Sequence, residues 1–240
     1  MRTIAIALLT GLSACSLNFG DDVKGPGVTG RGGGTTRVFA VEDFSGVALK
    51  GADNVDVRVG AGFSVRAEGP SDELDKLRIA RDDDTLSVGR RQGMSWGRHD
   101  PVRIIVTMPR LAAAMVAGSG DLRVDRVEGS AFAGSIAGSG NLAIGTVALD
   151  TMTVKVAGSG TMTAAGSVAS VAVDLAGSGD FDAKRLVARE ADVKIAGSGS
   201  VNVAVDGPAS VRVMGSGDVD LGPKATCDVK KMGSGSVRCG

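Results

Sequence analysis

Ala117-Gly118-Ser119-Gly120 is the stretch that decides the fold, because the chain keeps returning to it. Gly-Ser-Gly triplets begin at Gly118, Gly138, Gly158, Gly177, Gly197, Gly215 and Gly233, at spacings of 20, 20, 19, 20, 18 and 18 residues. Repetition at so even a period marks stacked structural units. Around each triplet the sequence alternates. Four and two residues before the first glycine stand Val154/Val156, Val173/Leu175, Val193/Ile195 and Val211/Val213. Four and six residues after it stand Leu122/Val124, Leu142/Ile144, Val201/Val203 and Val219/Leu221. All share one parity, with polar or small residues between them, which is the pattern of a strand with one buried face. Many are β-branched, as a pleated, half-buried surface favours.

The first glycine of each triplet and its second, Gly120, Gly140, Gly160, Gly179, Gly199, Gly217 and Gly235, fall on the buried parity. This predicts a sharp repeat bend with no room inside for a Cβ. The serine between them points outward and stacks on its neighbours. The residue after each triplet also points outward and reads Asp121, Asn141, Thr161, Asp180, Ser200, Asp218, Ser236. No two aspartates are adjacent in that column, so like charges do not stack. A second turn falls near the middle of each unit, at Gly145-Thr146, Gly166-Ser167, Asp206-Gly207-Pro208 and Gly222-Pro223. Each unit is therefore read as a coil with two turns, unable to bury its apolar face except against its neighbours. The fold class is all-β, a parallel β-helix or β-solenoid. The usual hand of parallel connections makes it right-handed. About seven regular coils of 18–20 residues are expected, and at the strand spacing of ~4.8 Å they form a rod roughly 34 Å long.

The chain has 240 residues, 43% of them apolar and only 3% aromatic, with no Tyr. A solenoid core of Val, Ala, Leu and Ile accounts for the shortage of rings. Formal net charge is zero, which removes the electrostatic case for nucleic acid. Residues 1–14 read as a lipoprotein signal peptide: Arg2 is followed by a short apolar run from Ile4, and Leu12-Ser13-Ala14-Cys15 has the form of a bacterial lipobox. Cys15 is then the acylated residue and the membrane partner is reached through that anchor. Ser16 after it points to the outer membrane. Residues 15–36, rich in glycine from Gly25 to Gly34, read as a flexible tether.

Residues 37–240 form one domain. Its first part lacks the triplet yet keeps alternation at Val55 to Val59, Phe63 to Ala67 and Val102 to Val106. Ser71 to Ile79 reads as one helical turn or a loop, and Asp82-Asp83-Asp84 as a solvated turn. This region is expected to be degenerate coils and a cap, continuous with the regular stack. Residues 90–101 are its longest irregular stretch and hold Trp96 and the single histidine, His99, the candidate binding loop.

Phe44-Ser45-Gly46-Val47, Leu86-Ser87-Val88, the segment Ile104-Ile105-Val106-Thr107-Met108-Pro109-Arg110-Leu111 and the first Gly-Ser-Gly after it resemble the head GIN domain family. That family carries the label "putative auto-transporter adhesin". The resemblance covers residues 37–240 and implies a β-helical fold and a cell-envelope location. It supplies no catalytic residues. The even run of triplets is more regular than the family pattern.

Two cysteines remain after Cys15. Cys227 and Cys239 lie six residues before and six after Gly233, on the buried parity, so the last bend brings them together. A disulfide there, in an oxidising compartment, clasps the end of the stack and stabilises it by roughly 3 kcal/mol. Enzymatic readings fare less well. A nucleophile elbow needs Gly-x-Ser-x-Gly, which no serine here has. Calcium-binding β-rolls need a nine-residue period with regular aspartate, and a P-loop needs a following Lys-Ser/Thr and helix. No metal and no cofactor are expected. The function read from the sequence is a non-enzymatic envelope lipoprotein, an adhesin-like interaction or scaffolding module with a protein or polysaccharide surface partner. The alternative is a polysaccharide-active β-helix enzyme. Exposed strand edges at the rod ends leave self-association open.

Overall fold

The computed structural model describes residue 23, residues 27–91, residue 100 and residues 102–240. The fold is all-β: the described residues are 69% strand with one short helix, wound into a parallel β-solenoid of about 6 turns. The triplets count one more than the turns because each full turn runs from one bend to the next.

In chain order the elements begin with β1 (Thr36–Phe39), β2 (Gly46–Gly51), β3 (Asn54–Val59), β4 (Ser64–Glu68) and helix α1 (Ser71–Leu74). There follow β5 (Leu77–Asp82), β6 (Thr85–Arg90), β7 (Arg103–Met108) and β8 (Ala113–Gly118). The long strands β9 (Asp121–Gly138), β10 (Asn141–Gly158), β11 (Thr161–Gly177) and β12 (Asp180–Gly197) each span nearly a whole coil. The last coils are β13 (Ser200–Val205), β14 (Pro208–Gly215), β15 (Asp218–Asp220), β16 (Thr226–Met232) and β17 (Val237–Arg238).

Every flanking residue that the alternation marked as inward is buried. Val154, Val173, Val193, Val211, Leu122, Leu142 and Val201 are all at most 1% exposed. Parallel pairing stacks like on like: Val154 faces Val173, Val173 faces Val193, and Val193 faces Val211. One continuous core therefore runs the length of the rod.

Each regular coil has three corners, where the sequence pattern indicated two turns. Along β10 the inward residues are Leu142 and Ile144, then Val147 and Leu149, then Met152, Val154 and Val156. Exposed pairs at Gly145-Thr146 and Asp150-Thr151 separate these three runs, and the triplet supplies the third corner. Gly145-Thr146 and Asp206-Gly207-Pro208 mark different corners. Asp206 to Pro208 lies between Val205, which faces Ala188, and Ala209, which faces Ala191, so it replaces the corner Arg189-Glu190. The corner at 184–186 is missing from that coil, since Ala183 and Val187 face the consecutive residues Val203 and Ala204. Losing three residues at one corner and gaining one at the other explains the shorter period of 18.

The reason for the bend glycines also differs from the expectation. The obstacle is mainly the neighbouring coil's backbone. A Cβ on Gly177, whose φ is +116°, would lie 2.6 Å from the Gly158 carbonyl oxygen of the coil before it. A Cβ on Gly179 would lie 2.6 Å from both the Gly160 carbonyl oxygen and Val156 Cγ1. The same carbonyls are acceptors: Ser178 N–H donates to Gly158 O and Ser198 N–H to Gly177 O, at 2.9 and 2.8 Å. The ladder thus continues unbroken through the corner.

The first part of the domain is a coil and a cap, but its stacking order is not its chain order. β2 and β3 lie between β6 and β7 on one side and β8 and β9 on the other, all parallel. Gly51 sits under Gly118, so Gly51-Ala52-Asp53 is this coil's bend. Beyond β6 and β7 the pairing turns antiparallel, with β5 on β6, β4 on β7 and β1 on β4. Ser71 to Ile79 divides between α1 and β5, and Asp83-Asp84 forms the hairpin turn after β5.

Asp53 occupies the place of a second triplet glycine, and its carboxylate is 2% exposed. It accepts Arg90 Nε at 2.8 Å, Arg90 Nη2 at 2.6 Å and the Val102 N–H at 3.2 Å. Arg90 Nη1 also donates to Glu73 of α1, which accepts Lys76 Nζ at 2.6 Å. The Asp53 hydrogen bonds are the largest cause raising the Arg90 pKa; the Glu73 partner adds to it and burial works against it. This bidentate, desolvated pairing bolts α1 and β6 to the first bend.

Two outcomes follow for stability. Gly177→Ala combines a left-handed backbone with a carbonyl clash and should lower the unfolding free energy by about 3 kcal/mol. Ser178→Ala, on the exposed corner beside it, should stay within about 0.5 kcal/mol, both read from urea unfolding. Arg90→Ala leaves the buried Asp53 carboxylate without its cation and should cost about 3 kcal/mol or more. Hydrogen exchange should then quicken first in β5 and β6; unchanged exchange there would contradict the bolt.

Candidate interaction surface

Stacking turns each outward sequence position into a column along the rod. The central column is the serine of each triplet: Ser119, Ser139, Ser159, Ser178, Ser198, Ser216 and Ser234 are all exposed. On one side runs a small apolar column, Ala137, Ala157, Ala176 and Ala196, continued by Met214 and Met232. On the other side runs the polar column from Asp121 to Ser236. The result is one ridge of repeated chemistry: apolar, hydroxyl, then acid or amide.

Within the polar column the alternation of acid and non-acid has a positive use. Asn141 Nδ2 donates to Asp121 Oδ1 at 2.9 Å, and Ser200 N–H donates to Asp180 Oδ1 at 2.8 Å. Asp218 Oδ1 accepts the Ser236 hydroxyl at 2.6 Å and the Ser236 N–H at 2.9 Å. Each acid therefore faces a donor on the next coil, where a second acid would repel it.

The outer face ahead of the bend alternates in charge only over its first coils, after which Arg212 follows Lys194. Lys155, Asp174, Lys194 and Arg212 stand in one column, and Lys194 lies within 3.2 Å of Asp192 Oδ1. Beside it an open apolar groove of about 500 Å³ runs along Ala157, Ala176, Ala196 and Met214. A second shallow groove of about 590 Å³ lies by Glu190, Asp192, Pro208 and Asp228. Among the described residues, no group of three or more His, Cys, Asp or Glu is arranged to hold a metal.

The residues singled out in the sequence fall in three places. The bend glycines line the ridge from beneath. Cys227 and Cys239 are joined, Cα to Cα 6.3 Å, and pack against the end of the core. Cys15, Trp96 and His99 lie outside the described residues. The loop of 90–101 joins β6 to β7, whose neighbours β2 and β3 are joined by the bend at Gly51, so its two ends meet the line of the ridge. Sequence reasoning missed the Asp53–Arg90–Glu73 cluster. Only the glycine-led, triplet-like Gly51-Ala52-Asp53 hinted at it, at no regular distance from the other bends.

The chain belongs to the head GIN domain family, described as "Putative auto-transporter adhesin, head GIN domain", whose model matches residues 43–238. Such a description is that of an adhesin-like cell-envelope or surface protein rather than of an enzyme. Among curated proteins none matches. Several solved structures share the fold. One, described as a putative adhesin from Bacteroides fragilis, has a TM-score of 0.76 at 19% identity over 85% of this chain and 95% of its own. A second, described as a putative lipid binding protein from Parabacteroides distasonis, has a TM-score of 0.69 at 22% identity over 88% and 98%. A third, described as a putative adhesin from Parabacteroides merdae, has a TM-score of 0.68 at 16% identity over 85% and 95%.

The ridge makes one electrostatic prediction. The Ser236 hydroxyl, and next its N–H, hold the Asp218 pKa below its ordinary value. With the folded value lowered, the contact stabilises above the ordinary aspartate range and is lost as pH falls through the lowered value. A ¹³C titration should place the Asp218 midpoint below that of an unstructured aspartate, and Ser236→Ala should move it back up. An Asp218 midpoint unmoved by Ser236→Ala would remove the contact's role.

Proposed function

We propose that this chain is a non-enzymatic, adhesin-like interaction module of the cell envelope, anchored by an acyl group on Cys15. The observation that carries this reading is the ridge. Serine hydroxyls repeat at the coil spacing, flanked by an apolar column and a polar column. A flat, repeated pattern suits a partner that is itself extended or repetitive, a protein or polysaccharide surface. Family membership supports the same reading. The segment holding Trp96 and His99, between β6 and β7, is the candidate binding loop of this reading.

Protease shaving tests this directly. With a tag after Gly240, intact cells should lose the tag on protease treatment as lysed cells do. Purified chain added to the medium should compete with cell attachment. Cys15→Ala should release the chain from the membrane fraction. A tag cut only after lysis would place the module inside the envelope and end the adhesin-like reading.

A further inference from the structure

The two ends of the solenoid are finished differently. At the first end, outer edges are covered by the incoming chain: Val28 N–H donates to Ile79 O of β5 at 2.7 Å, and Arg31 bridges Val38 of β1. At the last end, among the described residues, β16 pairs only with β14, and six of its seven residues are exposed. Of the five large apolar side chains exposed among the described residues, Met214, Val229 and Met232 lie in the last two coils of this face. Val229 is 42% exposed although it continues the inward column of Val193 and Val211, because nothing lies over it.

The edge has a definite hydrogen-bonding polarity. Thr226 N–H donates to Gly207 O of the coil beneath. By alternation along a strand, the N–H and C=O of Cys227, Val229 and Lys231 point to the free side. The sequence there, Cys227-Asp228-Val229-Lys230-Lys231, is charge-complementary to itself when reversed about Val229.

We propose that the free edge of β16 is the docking surface for a second copy of this chain, joined tail to tail by antiparallel pairing about a twofold axis at Val229. In that register Val229 faces Val229 of the second copy, and Cys227 faces Lys231. These are the residues whose backbone groups point to the free side, so they exchange hydrogen bonds directly. Asp228 then faces Lys230 twice, at the non-hydrogen-bonded positions, where Cα atoms approach to about 4.5 Å and side chains interact most closely. Lys231, on the inward parity, already turns its ammonium onto its own Gly235 carbonyl at 2.7 Å. The joint is isologous and closed, giving a dimer and no fibre. It is independent of the adhesin-like reading.

The test is a charge exchange on the purified full chain in mild detergent, with mass followed by light scattering and sedimentation over a concentration series. The unaltered chain should run as a dimer. Asp228→Lys or Lys230→Asp alone sets like charges opposite each other twice, and each should raise the dissociation constant roughly tenfold or more. Both substitutions together reverse the pair and should restore the dimer, which also shows that the variants fold. A chain that stays monomeric throughout, leaving the edge to a strand of another protein, overturns the proposal. So does a dimer indifferent to the single exchanges, or a double variant that stays apart.

Discussion

Successive bends of this solenoid lie so close that no Cβ fits between one coil and the carbonyl of the coil before it. Much of the molecule depends on that contact. Because Gly177 and Gly179 carry no side chain, the Ser178 N–H can reach the Gly158 carbonyl and the parallel ladder runs through the corner. An unbroken ladder keeps the strands on both sides in register, and register sets Val on Val through the core. The exposed serine follows as well, since it is the one residue of the triplet whose side chain points away from both the core and the neighbouring coil.

The exception at Gly51-Ala52-Asp53 makes the same point from the other side. A Cβ on Gly120 would fall 2.3 Å from the Asp53 carbonyl oxygen beneath it, yet Asp53 has a side chain where the regular coils have none. The segment on its far side is the cap, and the space is filled by an ion pair in place of a backbone carbonyl. Burying carboxylates is costly unless they are paired and hydrogen-bonded. Asp53 meets that condition with both Arg90 nitrogens and the Val102 N–H. A repeat that could continue indefinitely is thereby told where to stop.

At the far end the stop is of another kind. The Cys227–Cys239 pair packs against the end of the core, but among the described residues no strand covers the outer edge of β16. Between these ends the surface is regular because the interior is. Stacking at fixed spacing converts single outward residues into columns, and in the column after the triplets Asp121, Asp180 and Asp218 each meet a donor on the next coil. That regularity, more than any one residue, is what the molecule presents to a partner.

What could be read from the sequence was whatever neighbouring residues encode. The alternation about each triplet determined which side chains enter the core, because strand parity is a property of residues two apart. The period determined the stacking, and the symmetry of Cys227 and Cys239 about Gly233 placed them at one bend. The third corner was not legible. Asp150-Thr151 and Arg189-Glu190 turn the chain without glycine or proline, and only the coil packed against them shows that they are corners. The interleaving of β2 and β3 between β6–β7 and β8–β9, the Asp53–Arg90 pair and the open edge of β16 were decided by tertiary structure alone. Each depends on which distant strands lie side by side, and pairing between distant segments leaves no period in the chain.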